Sequence, residues 1–279
     1  MMQEPNNLNL SQCHVMAIVN VTPDSFYSAS RSEALSDVEQ RVERAVNEGA
    51  TIVDIGGYSS RPGAADVDVE EEWRRVSMGL EAVRRVERGV VVSIDTFRSE
   101  IVQRAVDSYG RIMVNDISAG EMDDKMLSVV AHHDLMYVAM HMRGVPTTMQ
   151  SLTDYDDGVV EGVVSYFRRR TAEIEACGIA RNRVILDPGF GFAKSTEQNM
   201  ELLAGLEMLG ALGYPLLVGV SRKSMIYKTL DITPDEALPG SLVMAWEAMQ
   251  RGASILRVHD VAATRQIVDM YYHYKPYAR

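Results

Sequence analysis

Eight short apolar runs recur along the chain, and each one ends in a polar or ionisable residue. Most of the runs are continuous rather than alternating in hydropathy, which is typical of parallel strands covered on both faces. Segments with apolar residues three and four positions apart lie between them, as in Leu35, Val38 and Val42, and predict helices with one buried face. The predicted strands are 15–19, 51–55, 90–94, 112–114, 135–140, 183–186, 216–220 and 255–258.

Alternation of strands and helices predicts a parallel α/β fold. Eight such units in 279 residues, with no break in composition, favour a single (β/α)₈ TIM barrel domain over residues 1–279. Residues 1–12 are expected to form a flexible N-terminal segment. The alternative is a doubly wound open sheet, which usually has a glycine-rich turn after its first strand. Here Asn20 and Pro23 follow the first strand instead, so the barrel is favoured.

Charge and hydropathy exclude several classes of protein. There are 39 acidic against 28 basic residues, a net charge of −11, which argues against nucleic acid as the main partner. No apolar run approaches the roughly 18 residues of a membrane span. The polar segment 1–12 lacks the pattern of a signal peptide, and the two cysteines, Cys13 and Cys177, fit a reducing compartment. We therefore expect a cytoplasmic protein that is not bound to a membrane.

The residues that follow the predicted strands indicate a polar pocket, because active sites of barrels lie at the C-terminal ends of their strands. Every strand contributes at least one such residue. In chain order they are Asn20, Asp54, Ser60, Arg61, Asp95, Asn115, Asp116, His141, Arg143, Asp187, Ser221, Arg222, Lys223, Arg257, His259 and Asp260.

Individual members of this set have simpler interpretations. Asp116 and Asp260 are equally suited to capping the helix that follows, and Asp95 is a possible cap as well. Asp54 precedes two glycines and is a candidate to pair with a neighbouring arginine. His132 precedes a predicted strand and is expected on the surface. Only the set as a whole predicts a functional pocket.

A local cluster of cations on an acidic chain predicts a small anionic ligand such as a phosphate. The cations expected at this face are Arg61, Arg222, Lys223, Arg257 and His259. Arg257 and His259 are two positions apart and should project from the same face of a strand. The alternative is that Arg257 pairs with a strand-end aspartate and His259 caps a helix. No zinc-type cluster is present, so Mg²⁺ held by oxygen ligands and phosphates is the expected metal.

Eight motifs in a fixed order resemble the dihydropteroate synthase family over about 15–261. They are N-V-T-P-D-S-F (Asn20–Phe26), D-I-G-G-Y-S-S-R-P-G-A (Asp54–Ala64), S-I-D-T (Ser93–Thr96), N-D-I-S (Asn115–Ser118), M-H-M-R-G-V-P-T-T-M-Q (Met140–Gln150), D-P-G-F-G-F-A-K (Asp187–Lys194), S-R-K-S (Ser221–Ser224) and R-V-H-D-V (Arg257–Val261). Each motif stands at the end of a predicted strand.

The resemblance implies a pterin-binding transferase of folate biosynthesis on a (β/α)₈ barrel. Such an enzyme condenses 6-hydroxymethyl-7,8-dihydropterin pyrophosphate with p-aminobenzoate to 7,8-dihydropteroate and pyrophosphate. The family mechanism is dissociative, with a pterin methylene cation formed before the amine attacks. The resemblance also implies Mg²⁺ on the pyrophosphate, a homodimer, and competition by sulfonamides at the aminobenzoate position.

Site residues follow from the same resemblance. The catalytic residues would be Asp95, Asp187 and Lys223. The pterin would contact Asp95, Asn115, Ile117, Met140, Asp187, Phe192, Gly219 and Lys223. The pyrophosphate would meet Asn20, Arg61, Arg257 and His259, with Asn20 also on the metal. The aminobenzoate would lie between Phe26, Ser60, Arg61, Pro62, Phe192 and Ser221. The loops after the first two strands, 22–32 and 58–68, would close over the pocket.

This chain departs from the family pattern in its loops. Tyr58 replaces a glutamate and Ser60 a threonine, and 27–30 lacks the usual aspartate and glycines. Two other functions are compatible with a pterin-binding barrel: a methyltetrahydrofolate:corrinoid methyltransferase, and a catalytically inactive paralogue. Neither requires S-S-R-P-G, S-R-K-S and R-V-H together, so the synthase is favoured.

Overall fold

The structure of the protein, a computed structural model, describes residues 8–21, 31–58, 67–86, 89–144 and 148–278. Eight parallel strands form one closed barrel in sequence order, so the predicted (β/α)₈ fold is confirmed and the open sheet is wrong. The strands are β1 (His14–Asn20), β2 (Ile52–Gly56), β3 (Val91–Asp95), β4 (Met113–Asp116), β5 (Met136–Met140), β6 (Val184–Asp187), β7 (Leu216–Val218) and β8 (Ala253–Val258).

Helices follow each strand and cover the outside of the barrel. They are α1 (Arg31–Asn47), α2 (Val69–Val86), α3 (Ser99–Tyr109), α4 (Met126–His132), α5 (Val159–Ala176), α6 (Thr196–Ala204), α7 (Leu206–Gly210), α8 (Ser224–Leu230), α9 (Leu238–Gln250) and α10 (Val261–Tyr274). Two helices follow β6 and two follow β7.

Strand boundaries differ from the prediction by one or two residues. The strand predicted at 216–220 ends at Val218, because the Val220 carbonyl accepts a bond from Lys223 N in a turn instead of a strand partner. The strand predicted from 183 begins at Val184, because Arg183 completes a 3₁₀ turn whose amide donates to Ala180 O.

The side chains of each strand alternate between the barrel interior and the helical layer. At the N-terminal end the interior is an apolar cluster that includes Met16, Ile52, Val91 and Met113. Two positions further along three of these strands, the inward residues are Asp54, Ser93 and Asn115. These polar residues thus form a layer above the apolar cluster, on the side of the C-terminal ends of the strands.

The N-terminal segment contributes to this apolar cluster. Leu8 and Leu10 pack against the interior cluster, while residues 1–7 lie outside the described part of the chain. Within the described residues, no helix has the length and apolar character needed to cross a membrane.

Candidate active site

Four side chains from four strands form a buried polar cluster at the centre of the barrel mouth. Arg257 on β8 donates from Nε to Asp54 Oδ2 at 2.6 Å and from Nη2 to Asp95 Oδ2 at 2.7 Å. Asn115 Nδ2 donates to the same Asp54 oxygen at 3.0 Å. Asp54 is fully buried, whereas the Asp95 side chain is 22% exposed and Arg257 is 21% exposed. Asp95 and Arg257 are therefore open to a ligand that enters the barrel.

The electrostatics of this cluster favour a ligand that brings hydrogen-bond donors or developing positive charge to Asp95. Burial raises the pKa of Asp95 to about 7. The positive charge of Arg257 opposes this increase, whereas the negative charge of Asp54 adds to it. Burial disfavours the charged form of Arg257, but the two aspartates outweigh it and raise its pKa. Because ionised Asp95 is costly here, it would be stabilised by hydrogen-bond donors or a developing cation on a bound molecule.

Asp187 and Lys223 are two groups of opposite charge that interact electrostatically beside this cluster. Asp187 Oδ1 accepts a bond from Gly189 N at 2.8 Å, and burial raises its pKa while Lys223 lowers it. Burial also lowers the pKa of Lys223 to about 8, and Asp187 opposes that shift. A Cβ at Gly219 would lie 3.8 Å from Arg257 Cβ and 3.9 Å from Lys223 Nζ, so this glycine borders both residues.

An apolar wall completes the pocket. Ile117 and Met140, both predicted to line the pterin ring, belong to one buried cluster against which the predicted Phe192 packs. Phe97 packs against the same cluster. Lys223 Nζ lies 5.2 Å from the centroid of the Phe192 ring, which joins this wall to the two oppositely charged groups.

Asn20 and Gly56 are neighbours in register, and Gly56 is in turn paired with Asp95. Asn20 Oδ1 lies 3.1 Å from the point that a Gly56 Cβ would occupy, and Asp95 Cβ lies 3.7 Å from it. Asn20 therefore borders the mouth of the pocket on the side of Asp95.

Ser221 and His259 contact each other at the end of β8. Ser221 Oγ is 3.1 Å from His259 Nδ1 and accepts a bond from His259 N at 3.2 Å. The residue at the N-cap of α10 is Asp260 and not His259, whereas Arg257 does pair with strand-end aspartates as its alternative interpretation required.

Two predicted members of the polar face lie elsewhere. Arg222 forms a bidentate pair with Asp260 at 2.8 Å from both Nε and Nη2, so it does not join the cation cluster. Asp260 is the residue before α10 but makes no side-chain cap.

Asp116 is also outside the pocket, and it does not cap a helix. Its carboxylate accepts bonds from Ser118 N, Ser118 Oγ, Gly120 N and Tyr137 Oη at 2.7–2.8 Å. Since neighbouring strand residues point to opposite faces, Asn115 faces the interior and Asp116 faces the helical layer.

Four predicted contacts lie outside the described residues: Phe26, Ser60, Arg61 and Pro62. The loop departures at 27–30 lie there as well. Tyr58 is described, and its ring makes an edge contact with Phe97 at 5.2 Å between centroids.

Sequence reasoning missed the role of Asp54 in the site. It was expected to pair with an arginine, and it does, but the partner is the pocket residue Arg257. A signal was present, because Asp54 and Gly56 are two apart in β2 and share the inward face. It also missed the contact of the buried Lys194 with His141, a residue already expected at the polar face; the two side chains lie 3.0 Å apart beneath the β6 loop. The sequence offered no such signal for that pair.

Comparisons with known proteins agree with this geometry. The family model described as "Pterin binding enzyme" matches residues 16–259. Dihydropteroate synthase of Escherichia coli (strain K12) is 44% identical over 259 residues, covering 92% of this chain and 90% of that protein. Its counterpart in Synechocystis is 43% identical over 255 residues, with 91% and 87% coverage.

Solved structures give the same result. Dihydropteroate synthase of Xanthomonas albilineans with 4-aminobenzoic acid has a TM-score of 0.88 and 40% identity, covering 96% of this chain and 95% of that one. The Yersinia pestis enzyme in a sulfonamide drug complex has a TM-score of 0.88 and 38% identity, with 96% coverage of both chains. The chain therefore belongs to the dihydropteroate synthase family of pterin-binding enzymes.

Proposed function

We propose that the polar barrel mouth binds the pyrophosphate ester of 6-hydroxymethyl-7,8-dihydropterin and joins it to p-aminobenzoate. The condensation to 7,8-dihydropteroate is the activity of the family. The observation that carries the placement is the buried cluster of Asp54, Asp95, Asn115 and Arg257, whose Asp95 and Arg257 are open to the barrel mouth. A Xanthomonas albilineans relative in complex with 7,8-dihydropteroate, with a TM-score of 0.85, supports the product.

The pterin would be recognised at the strand ends. Its amino-pyrimidinone edge presents both donors and acceptors, and Asp95, Asn115, Asp187 and Lys223 supply both complementary kinds of group. Each buried group left without a partner would cost about 1–3 kcal/mol, so a ring with a different edge is disfavoured. Ile117, Met140 and Phe192 would cover the ring faces, and Gly219, which borders Arg257 and Lys223, would approach the ring without a side chain.

The pyrophosphate would lie toward Arg257, His259 and Asn20. Arg257 uses Nε and Nη2 for the aspartates, and its Nη1 supplies further donors. Ser221, which contacts His259 at 3.1 Å, would border the aminobenzoate together with Phe192. Arg61 for the pyrophosphate, and Phe26, Ser60 and Pro62 for the aminobenzoate, complete the proposal from residues outside the described part.

The charges of the pocket suit a dissociative reaction. As the C–O bond to pyrophosphate breaks, positive charge develops on the pterin methylene carbon and negative charge on the leaving group. Asp95 and Asp187 hold negative charge near the ring, while Arg257 and His259 would stabilise the departing anion. The amine of p-aminobenzoate then attacks the cation and releases a proton. Water must be kept out during this interval, since hydrolysis would compete.

We propose Mg²⁺ as the cofactor. The described residues contain no group of three or more His, Cys, Asp or Glu that would hold a metal, which fits an ion bound by one protein oxygen, substrate phosphates and water. Asn20 Oδ1, on the inward side of β1 beside Gly56, is the protein oxygen proposed for it. The ion would supply positive charge to the leaving pyrophosphate.

We also propose that the enzyme is a cytoplasmic homodimer. Both cysteines, the buried Cys13 and the exposed Cys177, are free thiols, which supports a reducing compartment.

Turnover with both substrates tests the proposal. Purified protein given the pterin pyrophosphate ester, p-aminobenzoate and Mg²⁺ should form dihydropteroate and pyrophosphate in equal amounts, and Asp187→Asn should be much slower. Methyl transfer from methyltetrahydrofolate to a corrinoid protein would instead identify the first alternative function. Binding of the ester without any turnover would identify the inactive paralogue.

A further inference from the structure

Lys194 lies beneath the pocket and is not in contact with the polar cluster described above. Its residue is only 4% exposed. Nζ donates to Gly189 O at 3.0 Å and to Phe192 O at 2.9 Å, and it lies 3.0 Å from His141 Nδ1. An ammonium has three donors and no acceptor, so these three partners match its full hydrogen-bonding capacity.

We propose that Lys194 is a positioning residue for the reaction: its ammonium ties the loop after β6 to His141 and thereby sets Phe192 and Asp187 for the pterin. This inference rests on the proposed placement of the pterin in the barrel mouth.

The contact determines the protonation of His141. Because the ammonium cannot accept a bond, His141 Nδ1 must be the acceptor, so the imidazole is neutral and carries its proton on Nε2. Burial, together with the charges of Lys194 and Arg143, lowers the pKa of His141 well below its usual value. The ring is therefore neutral, and its Nδ1 is the acceptor below about pH 7, where Lys194 is an ammonium.

The loop after β6 is held by a set of hydrogen bonds that centre on the Lys194 ammonium. Gly189 O accepts from Lys194 Nζ and also from Phe192 N at 3.1 Å. Gly189 N donates to Asp187 Oδ1 at 2.8 Å, and His141 N donates to Asp187 O at 2.9 Å. A displacement of Lys194 would thus move the backbone that orients both the Asp187 carboxylate and the Phe192 ring.

Two backbone features show how closely the loop is packed. Gly189 has φ +71°, and a Cβ there would overlap the His141 carbonyl oxygen. Ala193, immediately before Lys194, has φ +52°, a conformation that costs an alanine about 1 kcal/mol. Such a conformation persists only where surrounding contacts maintain it, and the bonds of Lys194 to Gly189 and Phe192 are suited to do so.

The charges around the ammonium come from three elements. Asp187 on β6 favours the charged form of Lys194, while Lys223 and Arg143 oppose it, and burial lowers its pKa to about 7. His141, the residue after β5, faces it as a neutral acceptor. Asp187 is therefore the anion that favours the charged form of Lys194 against burial, which couples this contact to the proposed pterin site.

The first test replaces Lys194 with methionine, which has similar length but no donors. We expect the KM for the pterin pyrophosphate ester to rise about tenfold, the factor for loss of one charged hydrogen bond. Lys194→Arg should not restore it, because a planar guanidinium cannot reach three acceptors in a tetrahedral arrangement. Lys228→Met, on the exposed face of α8, is the matched control and should leave KM unchanged.

A second pair of variants separates positioning from folding. His141→Asn retains an acceptor near the place of Nδ1 and should keep the KM within about threefold of wild type, whereas His141→Leu should reproduce the Lys194→Met value. Equal KM values for Lys194→Met and wild type, with only the melting temperature lowered, would overturn the proposal.

Nitrogen-15 NMR of the histidine rings supplies a readout that does not depend on turnover. At about pH 6 the wild-type His141 ring should show an unprotonated Nδ1 and a protonated Nε2, with the resonance identified by its loss in His141→Asn. A protonated Nδ1 would contradict the contact. If wild-type enzyme makes no dihydropteroate, the proposed function fails; if it does and Lys194→Met has the same KM, only this inference fails.

Discussion

At the scale of the residue, Arg257 is the centre of the pocket. Its guanidinium binds Asp54 and Asp95 at once, at 2.6 and 2.7 Å. A lysine could not form this planar fork, and leaving either carboxylate buried without its partner is expected to be strongly destabilising. In the proposed complex, this arrangement would keep two negative charges close to the pterin and one cation near the leaving group.

Replacement of Asp95 by asparagine should abolish most turnover and preserve the fold. The amide keeps the size of the side chain but removes the charge that would stabilise the developing cation. We expect kcat to fall about a hundredfold, a value typical for the loss of one preorganised electrostatic group. Steady-state kinetics of the purified variant measures it, and a kcat near the wild-type value would exclude the assigned role.

The titration of Asp95 predicts a pH dependence of stability and activity that the Asp95→Asn variant should lose. Its pKa is raised to about 7 by burial, so its stabilising contribution is complete below about pH 4 and is lost as the pH rises through about 7. Activity needs the ionised form and should therefore decrease as the pH falls through about 7. Asp95→Asn should lack this limb and should be no less stable than wild type at pH 8, as measured by thermal unfolding.

Replacement of Arg257 by lysine should weaken binding of the pyrophosphate group more than binding of the pterin. Lysine retains the charge beside the aspartates but not the forked donor, so affinity for the pyrophosphate ester should fall by about 1–3 kcal/mol. Affinity for the pterin alcohol, which has no pyrophosphate, should hardly change. Calorimetry with both compounds measures the difference, and an equal loss for both would mean that Arg257 acts only on the pterin pocket.

At the scale of the element, the alternation of side chains along β4 assigns two adjacent residues to different tasks. Asn115 faces the pocket and binds Asp54. Asp116 faces the helical layer and holds the following loop through Ser118 and Gly120. On this strand, Asn115 is thus positioned to meet the proposed ligand, whereas Asp116 stabilises the loop that follows.

The two residues of β4 should respond differently to substitution. Asp116→Asn replaces an acceptor oxygen by a donor and should destabilise the protein by about 1–3 kcal/mol, with little change in the KM for the ester. Asn115→Ala should raise that KM instead. Chemical denaturation and steady-state kinetics measure the two effects, and an equal rise in KM for both variants would refute the separation.

The elements also predict an order of binding. The proposed pterin contacts lie on strands or in the turns after them, where side chains are held before binding, whereas Ser60 and Phe26 fall in the predicted loops 58–68 and 22–32, outside the described residues. We therefore expect p-aminobenzoate to bind only after the pterin pyrophosphate, and Ser60→Ala and Phe26→Ala to weaken p-aminobenzoate binding more than pterin binding. Tight binding of p-aminobenzoate in calorimetry, without pterin or pyrophosphate, would contradict this order.

At the scale of the whole molecule, the helical layer leaves apolar side chains exposed on α9 and α10, which pack against each other. Val243 on α9 is 61% exposed and Met270 on α10 is 58% exposed. Both residues lie on a pair of packed helices, and a contiguous exposed apolar patch is typical of a surface that another chain covers. These helices are therefore the surface that we assign to the proposed homodimer.

Sedimentation velocity tests this assignment. Wild type should sediment as a dimer at micromolar concentration, and Val243→Glu should shift it toward the monomer because a charge would be buried in the interface. Met208→Glu, at a 49% exposed position on α7, is the matched control and should remain a dimer. A monomeric wild type would exclude the homodimer, and a dimeric Val243→Glu would exclude the surface.

The sequence by itself determined the fold class and most of the described pocket. Apolar runs covered on both faces and helical stripes between them are local patterns, and closing eight such strands brings their polar ends together. Asp95, Asn115, Asp187, Lys223 and Arg257 were predicted in this way because each follows directly from its position in a strand or the turn after it.

Only the tertiary structure decided which of these residues are partners. Arg257 and Asp54 are 203 positions apart and Arg257 and Asp95 are 162 apart, so their contacts depend on the register in which β8 closes the barrel. The same closure sends Arg222 to Asp260 and places Lys194 against His141, 53 positions away. Local patterns specify which face a side chain takes, but a hydrogen bond across the barrel depends on distances that only the packed strands set.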